Sequence, residues 1–197
     1  MAEKKFQIGQ ALAWGWAKTK ANFWLMVGVA LLLVIIGLVP GLLLNRTIWS
    51  SNLLTWVLGS LVGVGLIKIV LKIYEGKAAS FNDFFSLTLN QFLDYLLASL
   101  MLMVITFIGF ILLIVPGIIF CLKYQFALYL ILDKKLKPWE AIKQSGRITR
   151  GHLGLLFGLW LLSILITLVG LLVFGIGILV AMPVVLLAQT YVYKKLS

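Results

Sequence analysis

One histidine, one cysteine and six acidic side chains in 197 residues leave little from which to build a conventional active site. His152 alone cannot form a histidine-based metal centre, and neither HExxH nor CxxC spacing occurs. Cys121 has no second cysteine to pair with, and its place inside an apolar run reads as inert packing. Asp83, Asp94, Asp133 and Glu140 offer no pair that spacing singles out for acid–base work, so ion pairs with neighbouring lysines are the simpler expectation. The glycines at 59 and 63 and at 154 and 158 lack the lysine and preceding strand of a phosphate loop and fit close helix packing instead. No catalytic residue, no metal and no cofactor is expected, and the chain reads as a non-enzyme.

What the chain has in place of charge is apolar surface. Charged residues make up 12% and hydrophobic ones 62%, against about 25% charged in ordinary soluble domains. The mean hydropathy is +1.11. The fold class expected is an all-α polytopic membrane bundle, one domain over residues 1–197, with six spans near 23–44, 53–74, 92–115, 118–132, 153–174 and 176–193. The first twenty residues are amphipathic, without the continuous apolar core of a cleavable signal peptide.

Short amphipathic helices are predicted at 6–20, 80–90 and 138–150, each entering a span along the membrane interface. In the first, Ile8, Leu12 and Trp16 form the apolar stripe. In the second, Ser80 and Asp83 have capping-box spacing. Between spans, residues 45–52 read as a polar exit loop, Pro40 and the Pro116-Gly117 pair as helix breaks, Gly175 and Gly177 as a hairpin turn, and Pro183 as a kink. The span at 118–132 is short, reaching only about 22 Å at 1.5 Å per residue. Six spans place every lysine and arginine except Arg46 and Lys123 on one side, which the positive-inside rule makes cytoplasmic, with both termini there.

An interfacial helix, a span out, a Gly- or Pro-Gly-containing turn and a span back recur three times. Gln10, Ala11, Leu12, Lys18, Thr19 and Lys20 align with Glu140, Ala141, Ile142, Ile148, Thr149 and Arg150, as in parallel repeats about an axis along the membrane normal. Convergent composition before each span would explain the same match. Both readings stay open at this level.

The most distinctive stretch runs from Pro116 to Gly151, where an apolar run ends in a basic amphipathic segment. Pro138 can open a helix at no hydrogen-bonding cost, and Lys143, Arg147 and Arg150 then share a helical stripe. Pro116-Gly117-Ile118, Tyr124, Asp133, Ala141, Ser145 and Gly151, with Pro183 and Tyr191, resemble the bacterial YciC-like integral membrane proteins. That family is related to the membrane domain of some glycerophosphoryl diester phosphodiesterases. The resemblance covers mainly residues 92–195. It implies a multispanning protein of the bacterial cytoplasmic membrane with no settled function and no catalytic residue to carry over; the soluble phosphodiesterase domain has no counterpart in these residues.

Two candidate sites follow. Lys134, Lys135, Lys143, Arg147, Arg150 and His152 form an expected surface for anionic phospholipid headgroups or a membrane-protein partner, a second copy of the chain included. The helix at 138–150 would lie flat on the cytoplasmic surface. Alternatively it merely caps the bundle, with Glu140 paired to Lys143 or to a neighbouring unit. Lys123, Tyr124 and Gln125 form an expected polar point inside a span, where a lysine costs about 3 kcal/mol unless it faces a cavity or snorkels; snorkelling toward the outer face is the favoured expectation. A small transporter or channel is the competing function, drawing on Lys123, Gln125, Gln189 and Thr190 and the broken helices. Nucleic acid is not expected as a partner, since the basic residues sit at membrane boundaries.

Overall fold

The computed structural model describes residues 6–43, 48–84, 86, 88–172 and 177–197, with side chains from 36 to 55 outside the description. The described residues are helical nearly throughout and contain no strand: α1 Ile8–Ala21, α2 Phe23–Leu43, α3 Ile48–Tyr74, α4 Phe81–Phe84, α5 Leu89–Leu112, α6 Ile114–Tyr124, α7 Ala127–Lys134, α8 Pro138–Ile148, α9 Leu153–Leu172 and α10 Ile178–Leu196. Among the described residues five stretches are long and apolar enough to cross a membrane, counting α6 and α7 as one span, Ile114–Lys134; the bent pair of α1 and Phe23–Ile35 of α2, at 98° to each other, brings the number to six when counted as one span. The chain is a multispanning all-helical membrane protein.

Several predicted boundaries move. α3 begins at Ile48, inside the segment read as an exit loop, while residues 45–47 lie outside the described residues, as does Gly175. Pro40 does not break its helix, since α2 continues to Leu43. The turn between α5 and α6 falls at Leu113, in extended conformation (φ −172°, ψ 159°), three residues before Pro116. Pro116 therefore sits in the first turn of α6, where a missing N–H leaves no bond unmade. The return span gains four residues at its start and two at its end, reaching 21 residues, and loses its length problem. Pro183 lies inside a continuous α10 and is buried there. The helix predicted at 80–90 shrinks to the single turn α4, with Thr88 extended before α5, although the capping contact forms, Ser80 N–H donating to Asp83 Oδ2 at 2.9 Å.

Burial separates two classes of span. Of the apolar stretch of each helix, 56% is buried in α3, 44% in α10 and 39% in α6–α7, against 17% in α5 and 22% in α9. The three return helices thus form the interior, and α5 and α9 turn large apolar side chains such as Phe107, Ile111, Leu165 and Leu172 outward. Cys121 faces outward as well, which corrects its reading as a packed residue.

The amphipathic helices tie this arrangement together. α1 makes its principal contact with α10, α4 with α3, and α8 with α7, followed by α5 and α6. Each unit's amphipathic helix therefore lies against the return span of the unit before it, and α1 closes the ring by docking on the last. The buried stripe of α1 is Ala11, Gly15 and Thr19, beside the predicted apolar stripe, of which Ile8 and Leu12 are partly buried and Trp16 is exposed; that of α8 includes Ala141 and Ser145 and continues to the buried Thr149 at its C-cap. The two stripes coincide in the register that the internal match suggested. Small side chains let backbones approach where lipid gives no hydrophobic drive for helices to associate. A Cβ on Gly15 would stand 2.6 Å from the Val184 carbonyl oxygen. Hairpins use the same device, Gly109 against Gly117 and Gly170 against Gly177.

Replacing Gly15 by alanine is expected to destabilise the protein in detergent by about 1–3 kcal/mol through overpacking. Gly9→Ala, which meets nothing within 4 Å, is expected to leave the unfolding midpoint unchanged or slightly raised. Equal effects of the two substitutions would contradict the close approach of α1 to α10.

Candidate functional site

The interruption between α6 and α7 creates the principal polar feature of the bundle. Gln125 closes it locally, its Nε2 donating to the Leu122 carbonyl at 3.1 Å. One residue earlier in the chain, the Lys123 carbonyl accepts the Ser145 hydroxyl at 3.0 Å, and the Thr149 hydroxyl lies 3.0 Å from that oxygen and 2.8 Å from the Ser145 carbonyl. These bonds hold α8 alongside the return span rather than across its end. Lys123 is eleven residues from Lys134, so contact is made about 16 Å along the helix. Gly151, at φ 86°, then turns the chain into α9.

Where α8 meets α6 lies a pocket of about 530 Å³, lined by Ile119, Lys123, Tyr124, Lys143, Gly146, Arg147, Thr149, Arg150 and Leu153. Four of these residues are cations and none is a carboxylate. Nor does any of the four make an ion pair among the described residues. Lys143 Nζ stands 5.2 Å from the Trp139 ring centre and Lys123 Nζ 5.3 Å from that of Tyr124, contacts that favour a cation without neutralising it. Lys143 is not paired with Glu140 among the described residues. The structure thus merges two sites that the sequence kept apart. Lys123 points to the α8 side, so the expectation that it snorkels outward is corrected.

The remaining candidates lie elsewhere. His152 is buried, its ring edge-on to Phe6 at 6.4 Å, rather than presented to a headgroup. Lys134 donates to the Ser197 carbonyl oxygen at 3.2 Å. Lys135 terminates α7 in the left-handed conformation, φ 53°, and is exposed. Gln125 is occupied with its own helix. Gly146, which leaves the pocket its floor, had been passed over, because glycine carries no chemistry of its own.

A second polar cluster, which spacing did not reveal, joins the ends of the three return helices. Lys194 on α10 bonds Asp133 of α7 at 2.7 Å and reaches Glu75, just beyond α3, at 3.6 Å, while the Tyr193 hydroxyl donates to the other Asp133 oxygen at 2.7 Å. Glu75 titrates below the ordinary range, chiefly through its hydrogen bond from Lys77 and with help from Lys194. Lys194 and Asp133 are mostly buried, while Glu75 lies at the exposed edge and is shared with Lys77; the cluster reads as a structural clasp. Among the described residues no group of three metal-ligating side chains occurs.

No family model matches the chain, and no solved structure does. An uncharacterised protein of Mycobacterium tuberculosis (strain ATCC 25618 / H37Rv) is 27% identical over 226 residues, covering 98% of this chain and 69% of its own length. An uncharacterised protein of Mycobacterium bovis (strain ATCC BAA-935 / AF2122/97) matches with the same identity and coverage. Neither brings an activity with it.

Removing the cation of the clasp by Lys194→Met leaves two carboxylates facing each other, and is expected to cost about 3 kcal/mol, the low end of the range for breaking a largely buried pair. Lys77→Met, at an exposed pair, is expected to cost less than about 1 kcal/mol. Detergent unfolding of the two variants compares them directly. The α3–α4 contact responds to acid instead. Asp83 is held below the usual carboxylate range, first by Lys72 and then by the Ser80 amide. Its contribution is complete above the unfolded value of about 4 and lost as pH falls through the lower folded value. Amide exchange at Asp83 and Ser86 is therefore expected to accelerate only below that range.

Proposed function

We propose that this chain is a non-enzymatic membrane protein of the YciC-like kind that binds anionic phospholipid headgroups in the α6–α8 pocket. Its basic end and both termini would face the cytoplasm of a bacterial cell, where the leaflet is anionic. The observation that carries this reading is the convergence of Lys123, Lys143, Arg147 and Arg150 on one cavity with no lining carboxylate. Such an arrangement favours an anion among the four, since like charges repel one another, and with Lys143, Arg147 and Arg150 exposed it is open to one from outside.

Position supports the same conclusion. Exposed Ile119 and half-buried Leu153 border the pocket, and the outward apolar surface of α9 begins one turn on, at Phe157. A headgroup seated among the cations can leave its chains on that apolar flank. Transport draws less support. The two spans that carry Gln189, Thr190 and Gln125 pack around Leu130, Leu187, Ala188 and Val192, all buried and apolar, and the breaks at Pro40 and Pro183 that a transport path would use are continuous helix.

Lys143→Gln/Arg147→Gln/Arg150→Gln removes three charges, each contributing about 1 kcal/mol near an anionic surface, so affinity for phosphatidylglycerol vesicles is expected to fall on the order of a hundredfold. Vesicle co-sedimentation at fixed ionic strength reads the change, with phosphatidylcholine as the neutral reference. Unaltered lipid preference in this variant, with loss on Lys194→Gln/Lys195→Gln instead, would place the site at the end of α10 and refute the assignment.

A further inference from the structure

The internal repeat separates what the fold requires from what it does not. α1 and α8 wedge against return helices in the same register, Ala11, Gly15 and Thr19 matching Ala141, Ser145 and Thr149. Where α8 has Lys143, Gly146 and Arg147, α1 has Ala13, Trp16 and Ala17. The carbonyl that Gly15 faces belongs to Val184, where Ser145 faces that of Lys123. One wedge therefore packs with neither Lys143 nor Arg147 matched by a cation, although Lys20 matches Arg150, and with tryptophan in place of the glycine. Packing does not explain why the other has them.

Their arrangement specifies a ligand. A side chain at Gly146 would begin with its Cβ 3.2 Å from both Lys123 Cε and Tyr124 Cε1, so the glycine keeps the cavity open. Four positive groups around one cavity of about 530 Å³ exceed what a single phosphodiester can neutralise. Arg147 and Arg150 offer planar forks suited to phosphate oxygens, while Lys123 and Lys143 supply point charges. We infer that the α6–α8 pocket selects a lipid headgroup bearing two phosphates. This inference rests on the anionic-headgroup reading and narrows it. The two phosphates are either bridged by glycerol, as in cardiolipin, or joined directly, as in an isoprenoid diphosphate.

The test is native mass spectrometry of the full chain titrated with cardiolipin, farnesyl diphosphate, phosphatidylglycerol, phosphatidylcholine and inorganic diphosphate. At least one two-phosphate lipid is expected to bind about five- to tenfold more tightly than phosphatidylglycerol, the increment of one further charge pair near the membrane; whichever binds tighter identifies the source. Gly146→Trp, which keeps every cation and copies α1, is expected to abolish that preference. If this variant fails to fold, Lys143→Ala/Arg147→Ala, again the residues of α1, is expected to do the same. Equal affinity for phosphatidylglycerol and both two-phosphate lipids overturns the inference and leaves the anionic-headgroup reading standing, whereas equal affinity for phosphatidylcholine removes both. A preference that survives filling the cavity, or inorganic diphosphate binding as tightly as the lipids, also overturns it.

Discussion

The close approach of a small-residue helix face to the backbone of a return helix is the contact on which the rest of the structure depends. Apolar side chains gain nothing by leaving lipid for protein, so spans associate through van der Waals contact and hydrogen bonds at short range. Gly15 against Val184 and Ser145 against Lys123 are two instances of that approach. Because each amphipathic helix lies on the return span of the preceding unit, the contacts run in a ring, closed by α1 on α10. Trp14 reinforces the closure by packing on Tyr74 at 5.2 Å and Tyr191 at 5.6 Å.

That ring decides where charge can go. Lys194, Asp133 and Glu75 neutralise one another at the ends of the three return helices, and Lys72 and Lys137 are engaged by Asp83 and Asp94. With so few acidic residues, the cations of α8 have no such partners, and the repeat gives them a wedge that packs without their help. Binding chemistry of this kind is a property of side chains added to a frame, and the frame itself is indifferent to it.

Hydropathy made the spans legible, since runs such as Leu153–Leu172 admit no other reading, and Pro138 and Gly151 marked the limits of α8 correctly. Three features were not legible. Turn location followed Pro116 in the sequence but Leu113 in the fold, because proline is tolerated in a first helical turn. The apolar stripe Ile8, Leu12 and Trp16 marks an interfacial helix without showing its packing face, which is the small-residue stripe Ala11, Gly15 and Thr19. Lys123 was assigned to the outer face because its span was started four residues late and no sequence rule pairs it with Ser145, 22 positions away. The internal match of Ala11 and Thr19 with Ala141 and Thr149 held the missing information, and its meaning emerged once both pairs lay against return helices.

The central claim is that the α6–α8 cleft holds a lipid phosphate rather than serving as a diffuse basic surface. Cryo-electron microscopy of the protein in nanodiscs containing cardiolipin and phosphatidylglycerol, with an antibody fragment for size, addresses it most directly. Density for phosphate between Lys123, Lys143, Arg147 and Arg150, continuous with acyl density along Ile119 and Leu153, is the result expected. A well-resolved cleft with no lipid in it, its four side chains extended toward the bulk headgroup layer, would contradict the claim.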